Sequence, residues 1–164
     1  INDIDSIHVD TYFLAAELDG QSPQNTLAGK FSVPFAIATT LVNGSSDVAS
    51  FTWDAIRNET IQALAKKVTV SDDPEMSAKL PDLRPASIMI TMNNGAVLKA
   101  GTETNRGDWR DPYSVSELSE KYNNLTARAW AVTNATKIYD TIMAIEDAAS
   151  IAPLCGLIHQ AGRS

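Results

Sequence analysis

The stretch over residues 33–42 most constrains what this chain can fold into, because it is apolar apart from two threonines. It is far shorter than the ~20 residues of a membrane span, so it predicts a core helix that other elements must cover. Ser32 is suited to cap this helix, and Pro34 fits its first turn, where no proline N–H is needed. Asn43 and Gly44 supply a left-handed stop after it.

The start of this helix also predicts a binding site for an anion. Lys30 stands two residues before Ser32, and a helix N-terminus carries a partial positive charge with N–H groups expected to be free. One interpretation is that Lys30 and Ser32 bind a carboxylate or a phosphate. The other is that Lys30 is a solvated loop residue and Ser32 serves only as the cap.

Size and charge limit the classes of partner. A chain of 164 residues is the size of one domain, and its net charge of −7 argues against nucleic acid or an anionic membrane surface as the main partner. A small anionic substrate remains compatible, because it responds to local charge. Cys155 is the single cysteine, so no internal disulfide can form and a reducing, cytoplasmic location is expected.

Alternating apolar residues predict four strands. They are expected over residues 4–12, over residues 68–70 and in a hairpin over residues 88–98, where Asn94-Gly95 would form a type I′ turn. Capping signals at Asn58 and Ser114 predict further helices. The order of elements predicts an α+β fold, with a mostly antiparallel four-stranded sheet and helices packed on one face, in a single domain over residues 1–164.

Other polar side chains each allow a functional and a structural interpretation. His8 is a candidate base, although a solvated strand histidine is favoured. The pair Asp72-Asp73 is a candidate metal site, although a turn is favoured because no third ligand lies nearby. Arg106 and Arg110 are placed to clamp a carboxylate, although pairing with nearby aspartates is favoured.

Self-sufficient catalytic machinery is not visible in the sequence. It contains no glycine-rich phosphate loop, no nucleophile elbow and no cluster of cysteine and histidine with metal-ligand spacing. Neither histidine stands beside a plausible nucleophile. No metal site and no catalytic residue is therefore assigned, and any proton-transfer groups are expected outside this chain.

Two segments of the chain carry a resemblance to a known enzyme family. The first runs Gly-Lys-Phe-Ser-Val-Pro-Phe-Ala-Ile-Ala over residues 29–38, and the second runs Arg-Gly-Asp-Trp-Arg-Asp-Pro-Tyr-Ser-Val-Ser-Glu-Leu over residues 106–118. They resemble the Lys-Phe-Ser-x-Pro-Tyr segment and the Lys-Gly-Asp-x-x-Asn-Pro-Leu-Ser-x-Glu-Glu-Leu segment of the MmgE/PrpD family, which includes 2-methylcitrate dehydratase, cis-aconitate decarboxylase and iminodisuccinate epimerase. The spacing of the pair makes the resemblance specific, and it covers nearly the whole chain.

The resemblance implies that the chain is the smaller, C-terminal domain of a two-domain enzyme. A larger helical domain precedes it in the family, carries most of the acid–base residues and shares the active site. These enzymes act on di- and tricarboxylates by moving a proton next to a carboxylate and losing water or carbon dioxide, or by epimerisation, with no cofactor. Only Lys30 and Ser32 carry over as substrate-binding positions, while Arg106 stands where the family often has lysine and the general base cannot be named.

Two classes of function therefore stand side by side. The first is the carboxylate-binding C-terminal domain of such a lyase or isomerase, inactive alone, whose partners are a small carboxylate substrate, the helical N-terminal domain and a second copy in a homodimer. The second is a non-catalytic module that binds a small ligand or mediates oligomerisation.

Overall fold

The computed structural model describes residues 1–162, which form two compact units: residues 1–112 and the residues from Tyr113 onward. The strands of the first unit are β1 (Ile4–Thr11), β2 (Val68–Asp72), β3 (Ala86–Met92) and β4 (Val97–Thr102), and its α-helices are α1 (Phe13–Ala16), α2 (Thr26–Lys30), α3 (Val33–Asn43), α4 (Trp53–Arg57), α5 (Glu59–Ala65) and α6 (Pro74–Ser77). The second unit contains α7 (Val115–Thr126), α8 (Val132–Met143) and α9 (Ala152–Ala161). Within residues 1–162 no helix is long and apolar enough to cross a bilayer.

The sheet has four strands in the order β2-β1-β3-β4. This confirms the predicted α+β class and the number of strands. The sheet is mixed, however, because β1 pairs with β2 in parallel, while β1 with β3 and β3 with β4 are antiparallel. Residues 12–67 connect β1 to β2 through five α-helices and one 3-10 helix (Val48–Phe51), and a connection of that length lets the chain return to the end where β1 began.

The predicted hairpin is present, but the prediction of a type I′ turn is wrong. That turn needs positive φ at both central residues, whereas Gly95 has φ +83° and Asn94 is not in that region. The loop instead spans Asn93 to Gly95: the Gly95 N–H donates to the Met92 carbonyl at 2.8 Å, and the Met92 N–H donates to the Ala96 carbonyl at 2.8 Å. A three-residue loop places its single left-handed residue last, which explains why only the glycine has positive φ.

The core of the first unit lies between the sheet and the helices α3 and α5. Phe35 and Ala38 from α3 and Ile61 and Leu64 from α5 are buried in one cluster with the apolar residues that β1 and β2 present to the same face of the sheet. The flank of α3 beside β3 is less covered than its composition predicts. It borders a shallow apolar groove of about 320 Å³, and Ile88 of β3 lines that groove too.

Gly29 allows α2 to approach its neighbours closely. A Cβ atom at this position would lie 2.8 Å from Cδ1 of Ile56 and 3.2 Å from the ring of Phe35. Both neighbours are buried, so neither side chain can move away freely. The glycine therefore fixes how α2 sits on α3 and α4.

We expect Gly29→Ala to lower the free energy of unfolding by about 1–2 kcal/mol, because it overpacks this contact. Gly20→Ala is the matched control, since a Cβ there meets nothing within 4 Å. Urea unfolding followed by circular dichroism compares the two variants. Equal stability of the two would show that α2 is not held by this contact.

The second unit has a small core formed by Ile138, Leu154 and Ala161. Its first helix begins with the predicted capping box, in which Ser114 and Glu117 exchange hydrogen bonds. The Tyr122 hydroxyl donates to the Ala135 carbonyl at 2.8 Å, which ties α7 to α8, and burial raises the pKa of this phenol. Several large apolar side chains of the unit remain exposed, among them Val115, Leu118, Val132 and Met143.

Candidate functional site

Ser32 caps α3 as predicted, and the structure shows that its hydroxyl group is fully used. The Ser32 oxygen accepts a hydrogen bond from the Phe35 N–H at 3.0 Å, and the hydroxyl donates to the Gly20 carbonyl at 2.5 Å. The residue is 3% exposed. Ser32 therefore joins the loop over residues 18–25 to the start of α3, and a direct contact between Ser32 and a substrate stays a prediction.

The expectation of free N–H groups at the start of α3 is wrong. The Val33 N–H donates to the Leu18 carbonyl at 2.8 Å, and the Ala36 N–H donates to the Ser32 carbonyl at 2.9 Å. Phe35 uses the Ser32 hydroxyl, and Pro34 has no N–H to offer. An anion at this helix tip would meet the partial charge of the helix but no free backbone donor.

Lys30 is the cation that remains available beside this helix start. It is the last residue of α2, whose first turn is capped because Asn25 accepts a hydrogen bond from the Ala28 N–H at 2.8 Å. Lys30 is exposed, and no carboxylate within residues 1–162 forms an ion pair with it. Its neighbours Leu27 and Phe31 lie one helical turn apart and are 64% and 61% exposed. Lys30 thus has exposed apolar residues close to it in the chain.

A shallow depression of about 380 Å³ lies at the start of α3. Phe31 and Ser32 are among the residues that line it, as are the acidic residues Glu17 and Asp19. Two acidic residues make this depression unfavourable for a bound carboxylate ligand, because like charges repel at short range. The depression is therefore not favoured as a binding site for a carboxylate.

His8 belongs to a hydrogen-bonded trio that the sequence did not predict. Its Nδ1 lies 2.9 Å from Oγ1 of Thr69 and its Nε2 lies 3.0 Å from Oδ1 of Asp10. The three side chains share the face of the sheet opposite the core, where the parallel register places His8 beside Thr69. Because both ring nitrogens are occupied, the trio acts as a clamp between β1 and β2. The contact between His8 and Thr69 follows from the parallel register of β1 and β2, which the sequence alone does not show.

The two arginines of the 106–110 segment have different partners. Arg106 forms the predicted ion pair with Asp111, and its Nη1 donates to the Pro112 carbonyl at 2.8 Å. Arg110 instead stacks on Trp109, 4.3 Å from the ring centre, and donates to the carbonyl of Asp82. Both guanidinium groups therefore stabilise this loop.

The pair of aspartates after β2 has the structural role that was favoured. Asp73 caps α6, because its carboxylate accepts hydrogen bonds from the Glu75 and Met76 N–H groups. Asp72 accepts a hydrogen bond from the Ser77 hydroxyl. Across residues 1–162, no three side chains of histidine, cysteine, aspartate or glutamate come together as a metal site.

Comparison with known proteins decides the family. A family model described as the MmgE/PrpD C-terminal domain matches residues 1–147. The chain belongs to the MmgE/PrpD family. The resemblance carried by the two sequence motifs is thereby confirmed, and both motifs lie inside the matched region.

Curated relatives of this MmgE/PrpD domain are cis-aconitate decarboxylases. The protein from Aspergillus terreus is 23% identical over 141 residues, which cover 85% of this chain and 29% of that protein. The human protein is 25% identical over 137 residues, covering 80% and 28%, and the mouse protein is 22% identical over 136 residues, covering 83% and 28%. The chain thus spans less than a third of the length of these relatives.

Proposed function

We propose that this chain is the C-terminal domain of a cofactor-independent lyase or isomerase that acts on di- or tricarboxylates. In this proposal the domain contributes carboxylate-binding groups to an active site that a helical N-terminal domain completes. The membership of residues 1–147 in the family is the observation that carries the proposal. The relatives support the substrate class, because the substrate in their name, cis-aconitate, carries three carboxylates.

Lys30 is the residue proposed to contact a substrate carboxylate. The lysine is exposed, lacks an acidic partner within residues 1–162, and is the last residue of a capped helix that Gly29 holds against the core. A charged hydrogen bond between its ammonium group and a carboxylate is worth about 1.5–3 kcal/mol. The α3 helix adds a partial positive charge behind it, although its backbone donors are used internally.

General acid–base chemistry is proposed to come from the other domain. His8 is the histidine whose hydrogen-bonded neighbours could relay a proton. Both of its ring nitrogens are already hydrogen-bonded on the sheet, however, so it is not proposed as the general base. The isolated chain is therefore expected to lack activity. Whether the reaction is dehydration, decarboxylation or epimerisation depends on groups that the proposal places outside this chain.

The test is Lys30→Ala in the two-domain enzyme, assayed with cis-aconitate. We expect kcat/KM to fall about tenfold to a hundredfold, since the lost hydrogen bond corresponds to roughly that factor in rate. Lys66→Ala is the matched control, because Lys66 is another exposed lysine at the end of a helix. Unchanged constants in the Lys30 variant, with a folded protein, would remove Lys30 from the site.

A further inference from the structure

Two short helices of the first unit, α2 and α4, pack against each other at a glycine. A Cβ atom added to Gly29 of α2 would lie 2.8 Å from Cδ1 of Ile56 in α4, and Ile56 is 4% exposed. The first turn of α4 is capped, because the Thr52 hydroxyl oxygen accepts a hydrogen bond from the Ala55 N–H at 3.4 Å. This tight contact therefore fixes the last turns of the two helices relative to each other.

Each of these helices ends on a cation that directly follows the contact residue. Lys30 follows Gly29, and Arg57 follows Ile56. Together, four bonds of about 1.5 Å separate the added Cβ atom and Cδ1 of Ile56 from their own Cα atoms, so the Cα atoms of Gly29 and Ile56 are at most about 9 Å apart. Since consecutive Cα atoms are about 3.8 Å apart, the Cα atoms of Lys30 and Arg57 lie within about 17 Å of each other. A substrate with several carboxylates can join two long side chains across that distance.

Arg57 is available to bind an anion. It is exposed, and no carboxylate within residues 1–162 forms an ion pair with it, including that of Asp54 in the same helix. Its guanidinium carbon lies 5.3 Å from the centre of the Trp53 ring, a cation–π contact that restrains the side chain. A guanidinium group that stacks on an aromatic face keeps its in-plane N–H groups free to donate. Arg57 thus combines a restrained position with donors that no residue within residues 1–162 occupies.

We propose that Lys30 and Arg57 bind two carboxylates of the same substrate molecule. The guanidinium fork of Arg57 matches one carboxylate with two parallel hydrogen bonds, and the ammonium group of Lys30 binds another. This inference rests on the proposed function, which assigns only Lys30 to the substrate. It adds Arg57 as a second binding residue and limits the substrate to acids with at least two carboxylates.

The pair of cations also determines selectivity. A monocarboxylate can reach only one of the two side chains and leaves the other cation without a partner. An acid with two or three carboxylates satisfies both cations at once, and the second contact is made without a second loss of translational freedom. The site therefore favours di- and tricarboxylates over monocarboxylates of similar size.

The first test titrates the 164-residue chain with citrate at low salt and follows tryptophan fluorescence. Because Arg57 lies over Trp53, a bound carboxylate should change the emission of this tryptophan, with a dissociation constant in the millimolar range. Trp53→Phe should remove the response, and acetate should give no saturation where citrate does. A wild-type chain that does not respond to citrate, responds equally to acetate, or keeps its response in Trp53→Phe would overturn the proposal.

Variants of the same chain then assign the binding to the two cations. Arg57→Gln and Lys30→Ala should each weaken citrate binding about tenfold or more, the usual effect of losing one charged hydrogen-bonded contact. Arg84→Gln is the matched control, because Arg84 is an exposed arginine of the first unit that has no ion pair within residues 1–162. The control should change the affinity by less than about threefold. A folded Arg57→Gln chain that binds citrate as tightly as the control would refute the role of Arg57.

Kinetics of the two-domain enzyme separate this inference from the proposed function. With cis-aconitate, Arg57→Gln should raise KM about tenfold or more and change kcat less, since the contact already forms in the bound substrate. If Lys30→Ala lowers kcat/KM and Arg57→Gln does not, the inference is wrong and the proposed function stands. If both cations bind citrate in the chain and neither variant affects turnover of cis-aconitate, the binding site stands and its proposed role in the reaction fails.

Discussion

Replacing Phe35 by alanine is expected to lower the free energy of unfolding of the first unit by about 3–5 kcal/mol, the usual cost of truncating a buried phenylalanine. Phe35 is 0% exposed and stands where α2, α3 and the segment after α3 meet. Its ring centre lies 6.1 Å from that of Phe51 in a tilted arrangement, and its edge lies close to α2, since a Cβ added at Gly29 would be 3.2 Å from the ring. Truncation removes contacts to all three segments and leaves a cavity that they cannot close together.

Phe31→Ala provides the matched control, because the same aromatic side chain is removed four residues earlier from an exposed position. We expect this variant to change the stability by less than about 0.5 kcal/mol, as surface substitutions usually do. Urea unfolding followed by circular dichroism compares the two proteins. Similar losses in both variants would mean that Phe35 does not organise the core of the first unit.

The features that the sequence predicted correctly depend on residues close together in the chain. The cap at Ser32, the stop at Gly44 and the capping box at Ser114 are each decided within one or two helical turns. The hairpin follows from the alternation of Ile88, Ile90 and Met92 and from the turn residues Asn94-Gly95 that come directly after it. Signals of this kind come from residues a few positions apart, so they can be recognised without knowledge of the tertiary packing.

Long-range backbone contacts account for what the sequence did not reveal. The parallel pairing of β1 with β2 depends on where a long helical connection returns the chain. The Leu18 carbonyl that receives the Val33 N–H, and the Gly20 carbonyl that receives the Ser32 hydroxyl, belong to a loop whose composition indicates no specific path. Those contacts occupy the donors that an anion site at this helix tip would have needed. The part of the candidate site that depends on a side chain, Lys30, was visible from the sequence, whereas the state of the backbone around it was not.

Ser32→Ala is expected to destabilise the first unit by about 2–3 kcal/mol, because it removes the cap of α3 and deprives the Gly20 carbonyl of its donor. The loss should exceed that of an ordinary cap, since Ser32 is 3% exposed and water cannot replace its hydroxyl group. Ser22→Ala is the matched control, because Ser22 is an exposed serine of the same loop and should tolerate the change.

The same variant separates a structural role of Ser32 from a role in binding. If Ser32 acts only through the loop and the start of α3, Ser32→Ala in the two-domain enzyme should lower the melting temperature while KM for cis-aconitate rises less than about threefold at temperatures where the protein is folded. Ser32→Thr keeps the hydroxyl group and should recover part of the stability. A large rise in KM in the fully folded Ser32→Ala enzyme would instead indicate that the hydroxyl leaves Gly20 to bind a substrate carboxylate, as the resemblance implies.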